Sequence, residues 1–240
     1  MAAPSAAVAE AENPGAVAER PGPVLQNFKV ATEDGGTLDA EEWLPSAGAT
    51  PPAGVLLVRS LGRTRAEWSD FPSTLAKAGY RVLSIDPREK PGSEALPEDS
   101  EWLPSDPQLG MRDVAAGLAW LRRAPGTDPS RLAVIGSSYG ADLACVAIGR
   151  GLVRTGVALS PSRDRVHLLA AGTPLHLQSL MLLATSGDPG AEAAARRLSL
   201  ETKNPKQVRI LTRSSAQGAA ILVSHPEAAG LILDWLHRTL

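Results

Sequence analysis

Residues Gly136-Ser137-Ser138-Tyr139-Gly140 read G-x-S-x-G, directly after an apolar run at 132–135 and directly before an apolar stretch at 139–148. A serine between a strand and a helix sits on a strained turn that lifts its hydroxyl above the sheet, and glycines two residues to either side permit that turn. Such a hydroxyl is a nucleophile when a base takes its proton and an acid orients the base. The bare pattern is short for a chain with 22 glycines, so the strand-turn-helix context carries the inference. The plain alternative is a tight turn with an incidental serine.

The partners of such a serine are few. The chain has four histidines, His167, His176, His225 and His237, and one cysteine, Cys145. A single thiol excludes an internal disulfide framework and a thiolate zinc site. Cys145 lies in the apolar run 143–148 and reads as a core residue. Asp188 follows an apolar run at 180–184 and lies in Gly187-Asp188-Pro189-Gly190, where it is either the acid or an ordinary turn residue. The 24 Lys and Arg are scattered and balanced by 26 Asp and Glu, which leaves no electrostatic footprint for nucleic acid.

These residues need a frame. Residues 28–31 and 38–44 flank Glu33-Asp34-Gly35-Gly36, a hairpin signal. The runs at 54–58 and 81–85 suit strands buried on both faces, and 68–78 between them has helical spacing and stops at Gly79. Helices at 109–123, 139–148, 191–198 and 226–240 then alternate with strands at 132–135, 157–159, 180–184 and 208–211. Alternation of this kind predicts a mostly parallel, doubly wound sheet led by an antiparallel hairpin. The stretches 86–107 and 160–177 read as irregular loops covering one end of the sheet.

Residues 1–23 are rich in Ala, Pro and Glu without apolar periodicity, which predicts a disordered tail ahead of one domain at 24–240. The tail lacks the apolar core of a signal peptide, and no run approaches the ~20 residues of a membrane span. A soluble cytoplasmic protein is expected, or a periplasmic or secreted one if a signal segment has been removed.

On the elbow, on Leu61-Gly62-Arg63-Thr64-Arg65 with Trp68, on Ala158-Leu159-Ser160-Pro161 and on Ser224-His225-Pro226-Glu227, the chain resembles the α/β-hydrolase family. It is most similar to the small esterases and dienelactone-hydrolase-like members without a large cap domain. The resemblance runs from Leu25 to Leu240. It implies the chain order serine, acid, histidine. Ser138 would be the nucleophile, Asp188 the acid, and the backbone N–H groups of Leu61 and Tyr139 the oxyanion donors. The ligand would be a small ester or acyl compound; no cofactor and no metal are expected, while a protein partner or homodimer stays open.

Three positions depart from the family pattern. Where the resemblance places the histidine, in a segment similar to S-A-H-G-T, the chain reads Ser215-Ala216-Gln217-Gly218-Ala219. An amide can hydrogen-bond a serine, but it cannot take its proton and deliver it to a leaving group. Where His-Gly is expected after 54–58, the chain has Arg59-Ser60. Where D-x-R-G-H-G-x-S is expected, it has Asp86-Pro87-Arg88-Glu89-Lys90-Pro91-Gly92-Ser93. Three departures around one site point to relaxed demand on catalysis.

No other histidine is an evident substitute. His225 falls in Ser224-x-x-Glu227, a capping box that would place it in the first turn of the last helix. His176 precedes its strand and His237 is late in the last helix. His167, in the covering segment, is the candidate replacement base or ligand contact. Arg59 adds a guanidinium that would suit a carboxylate or phosphate ligand, or else a salt bridge to Asp86 or Glu89. The expectation is a serine hydrolase of carboxylesterase type by descent, its turnover weak or lost. Its alternative is an inactive pseudohydrolase that binds a ligand or partner.

Overall fold

The computed structural model describes residues 24–45, 51–88 and 106–240; the expected tail and most of the expected 86–107 loop lie outside these. The chain opens with the hairpin β1 (Val24–Ala31) and β2 (Thr37–Leu44), followed by β3 (Ala53–Val58), α1 (Phe71–Lys77), β4 (Arg81–Ile85) and α2 (Leu109–Arg123). The elbow joins β5 (Asp128–Ser137) to α3 (Tyr139–Gly149). Then come β6 (Thr155–Leu159), α4 (Arg163–Ala170), β7 (Gln178–Thr185), α5 (Pro189–Glu201), β8 (Lys203–Leu211), α6 (Ala220–Ser224) and α7 (Glu227–Thr239). The eight strands form one sheet in the order β1-β2-β4-β3-β5-β6-β7-β8. Both pairings of β2 are antiparallel and every other pairing is parallel.

Every residue of β3, β4 and β6 is buried, as strands without a polar face require. Alternate side chains feed two cores. Leu56, Val58, Val134 and Ala158 pack with α2 and α3 on one face. Val55, Leu57, Ile135 and Val157 pack with Phe71 and Leu75 of α1 and with Ile232 and Trp235 of α7 on the other. Each fully buried branched side chain contributes about 1.5–3 kcal/mol relative to exposure, so the doubly covered centre of the sheet is the most stable part of the frame. The parallel strands all end on one edge, and the loops after β3, β5, β6, β7 and β8 emerge there together.

Three expectations change. The helix expected at 68–78 is a 3-10 turn, Arg65–Trp68, followed by α1, with Ser69 between them at φ 48°. The segment 160–177 is not irregular: it contains α4, which buries only Val166, Leu169 and Ala170 and so carries little apolar periodicity. The capping box does not form. Ser224 ends α6, where its hydroxyl meets the Ile221 carbonyl and the His225 ring, and α7 starts after Pro226 with no side-chain cap.

Candidate active site

Ser138 has φ 49° and ψ −110°, a conformation that L-residues rarely adopt. The turn is held because the Ala141 and Asp142 N–H groups both donate to the Ser138 carbonyl, which starts α3. The flanking glycines are dictated by contact. A Cβ at Gly136 would lie 1.9 Å from the Gly140 oxygen, and a Cβ at Gly140 would lie 2.0 Å from the Val58 oxygen. The end of β3 therefore runs against the first turn of α3, which brings Ser60 and Leu61 to the elbow.

Backbone ladders continue past the strand ends. Ser138 N–H donates to Leu159 O at 2.9 Å, Ser160 N–H to Leu183 O at 2.8 Å, and Ser186 N–H to Leu211 O at 2.8 Å. The loop carrying Gln217 is pinned at three consecutive residues. Thr185 Oγ1 donates to Ala216 O at 3.0 Å, Gly218 N–H to Ser160 Oγ at 3.0 Å, and Ala219 N–H to Ser137 Oγ at 2.8 Å. Ser137 Oγ also shares a 2.8 Å hydrogen bond with Ser60 Oγ, and the Ser60 N–H donates to Glu67 Oε1 at 2.8 Å. Burial pushes the Glu67 carboxyl up, against hydrogen bonds from Ser60 and Ser137 and the nearby Arg59 charge.

Ser138, Asp188 and Gln217 line one cleft of about 400 Å³. They share it without touching in the manner of a triad. Ser138 Oγ has no hydrogen-bond partner among the described residues, and neither does the exposed Gln217 side chain. Asp188 Oδ1 accepts the Ala191 N–H at 3.1 Å and so caps α5. The Leu61 N–H has no backbone acceptor among the described residues. The Tyr139 N–H is the first donor of α3, where a helix offers no acceptor.

Arg59 does not line this cleft. It is buried, with Nε donating to Asp86 Oδ1 at 2.7 Å, Nη1 to Ser60 O at 2.7 Å and Nη2 to Pro87 O at 3.1 Å. Arg65 Nη1 takes the other Asp86 oxygen at 2.5 Å. The end of β4 thus claims the guanidinium that a ligand contact would have needed. His167 is displaced as well: α4 turns its Nε2 to within 3.1 Å of Glu201 Oε2, beside a separate cavity of about 260 Å³, so it faces neither Ser138 nor the cleft. His225 pins the exit of β8, with Nε2 2.9 Å from Thr212 O. His176 and His237 are exposed, on elements outside the cleft.

Sequence reasoning missed the cleft's charged wall. Asp142, four residues after Ser138, is fully buried. Its Oδ1 accepts the Ser162 N–H and its Oδ2 the Arg165 Nε–H, both at 2.6 Å. Burial pushes its pKa up to about 7, with Arg165 opposing. Arg163, Arg165 and Arg197 line the cleft from α4 and α5. The one available signal was a lone charge in the otherwise uncharged α3. Among the described residues, no group of three or more His, Cys, Asp or Glu is placed to hold a metal ion. Nor is any helix there long and apolar enough to cross a membrane.

No protein-family model matches the chain, and no curated protein does. Solved structures do. A dienelactone hydrolase from Anabaena variabilis is similar at TM-score 0.71 and 20% identity, over 91% of this chain and 99% of its own. The Pyrococcus furiosus esterase Pf2001 is similar at TM-score 0.66 and 18% identity, over 90% and 93%. The α/β hydrolase GrgF from a Penicillium species is similar at TM-score 0.67 and 14% identity, over 90% and 99%. The sheet order, the hairpin and these likenesses together establish the α/β-hydrolase fold.

Proposed function

We propose that this chain is a serine hydrolase by descent, of carboxylesterase type, whose Ser138 cleft binds a small ester or acyl ligand and turns it over slowly or not at all. The observation that carries the reading is the pinned 216–219 loop. Thr185, Ser160 and Ser137 fix the backbone on both sides of Gln217, so an amide stands on the cleft where this fold carries its base. Without an imidazole, Ser138 keeps its proton at neutral pH, and the acyl-serine route loses the group that both activates the nucleophile and protonates the leaving group. What remains is binding, together with two N–H donors at Leu61 and Tyr139 for an oxyanion. Losing a triad base removes several orders of magnitude of rate and leaves residual acceleration.

The second reading, an inactive ligand-binding pseudohydrolase, is favoured by Asp188. One of its oxygens already serves the α5 cap, and Ser138 Oγ has no acceptor for its proton. Hydrolysis of a chromogenic short-chain ester by the unmodified chain, Ser138→Ala and Gln217→His separates the two. Turnover in the unmodified chain that vanishes in Ser138→Ala supports a slow hydrolase. Turnover only in Gln217→His supports the pseudohydrolase on an otherwise intact frame. Silence in all three refutes the descent from an ester hydrolase of this substrate class.

A further inference from the structure

The wall of the Ser138 cleft is built from charge, and its construction is specific. Asp142 is fully buried in the first turn of the elbow helix, a position that strongly penalises a carboxylate. Both of its oxygens are engaged by α4, one by the Ser162 N–H and one by Arg165 Nε. Arg165 lines the cleft, and Nε accounts for all of its hydrogen bonds among the described residues. Its Nη fork is left for another acceptor. Arg197, from α5, lines the same cleft and has no hydrogen-bond or ion-pair partner among the described residues. Arg163 also reaches the lining, with Nε 2.5 Å from Glu201, a residue outside the cleft.

Helix direction adds to this field. Ser138, Ser162 and Asp188 are the N-caps of α3, α4 and α5, and all three line the cleft. The positive ends of three helices therefore converge on the space that the arginines border. Along the lining, three arginines stand against two aspartates, Asp164 and Asp188, so one net positive charge remains. That balance suits a monoanion better than a phosphate dianion. A guanidinium fork matches a carboxylate with two parallel hydrogen bonds.

We infer that the cleft takes an acyl ligand bearing a free carboxylate, held between the Arg165 and Arg197 guanidinium groups beside Ser138. Arg165 is the fixed member, positioned by Asp142; Arg197 is the exposed member that closes on the anion. The inference rests on the reading of this cleft as a ligand site for acyl compounds, and binding is measured apart from hydrolysis so that the two can fail separately.

The test is calorimetric titration of the full chain with glutarate, inorganic phosphate and dimethyl glutarate. Glutarate should bind, and raising the salt should weaken it. Arg197→Gln should weaken it about tenfold, the scale of one charged hydrogen-bonded contact. Dimethyl glutarate should bind at least tenfold more weakly. Removing Arg165 would leave Asp142 buried without its cation, so Arg165→Lys is the second variant; it keeps the charge, loses the fork and should weaken glutarate severalfold.

No glutarate binding, equal binding of the dimethyl ester, or an affinity unchanged in Arg197→Gln would overturn the inference. Phosphate bound in preference to glutarate would overturn its carboxylate assignment. If Gln217→His hydrolyses a neutral chromogenic butyrate while glutarate does not bind, the carboxylate inference alone fails. If glutarate binds as expected and no variant hydrolyses any ester, only the hydrolase reading fails.

Discussion

Ser137, the neighbour of the elbow serine, accepts the Ala219 N–H at 2.8 Å through its buried hydroxyl, and so ties the elbow to the loop that carries Gln217. Its second contact, with Ser60 Oγ, ties the same point to the segment carrying the Leu61 N–H. Three loops from three strand ends meet on one hydroxyl. This arrangement keeps the site's geometry independent of whether residue 217 is an imidazole or an amide.

Ser137→Ala should therefore loosen two loops at once while leaving the elbow turn itself intact. The substitution leaves the Ala219 N–H and Ser60 Oγ without their buried partner, a loss of about 1–3 kcal/mol. Urea denaturation should show a lower midpoint. In a Gln217→His background, the same change should also lower any ester turnover, because residue 217 would no longer be held at the cleft.

Gln217→His should raise ester hydrolysis at least about 100-fold over the unmodified chain, the usual range for a positioned general base. The rate should climb with pH as the imidazole loses its proton, around its ordinary value of about 6.5, and then level off. A pH profile with no inflection in that region would mean that the imidazole is not acting on Ser138. Adding Ser138→Ala to this variant should return the rate to background.

The two elbow glycines admit no side chain. Gly140→Ala would put a Cβ 2.0 Å from the Val58 oxygen, and backbone cannot retreat there without separating β3 from α3. The loss should reach about 3 kcal/mol or more, seen as a steep fall in melting temperature or in soluble yield. Gly190→Ala is the control. Its nearest neighbour would be Asp188 Oδ1 at 3.6 Å, an ordinary contact in the first turn of α5, so stability should hold or rise slightly.

The strand and helix order was legible because strands buried on both faces read as unbroken apolar runs, as in β3 and β6, and because the elbow's glycines are imposed by hard contacts. The cover was not. α4 reads Arg-Asp-Arg-Val-His-Leu-Leu-Ala and buries only three side chains, too few for a periodic signal. Ser224 and Glu227 have capping-box spacing, but Ser224 is the last residue of a preceding short helix, a competition that local spacing does not record. The pairing of Asp142 with Arg165 spans 23 residues and exists only because α3 and α4 pack together. Likewise His167 was within reach of the cleft by position in the chain, and only the rotation of α4 directs it to Glu201.

Asp142 also sets a dependence of stability on pH. Its folded pKa is pushed up to about 7, while an unfolded aspartate titrates near 3.9. The folded state thus binds this proton more tightly, and the contribution to stability is full below about pH 3.9. It is lost progressively as pH rises towards 7, and no further change comes from this group above that. Glu67 and Asp113 are also pushed up by burial and act in the same direction, so the Asp142 share must be isolated by difference. Asp142→Asn keeps an acceptor for Arg165 and has no proton to lose. Relative to this variant, the unmodified chain should lose stability between pH 4 and 7, by an amount on the order of a few kcal/mol, and run parallel to it from pH 7 to 8. Parallel curves across pH 4 to 7 would show that the buried carboxylate keeps an ordinary pKa, its desolvation fully offset by Arg165 and the Ser162 N–H.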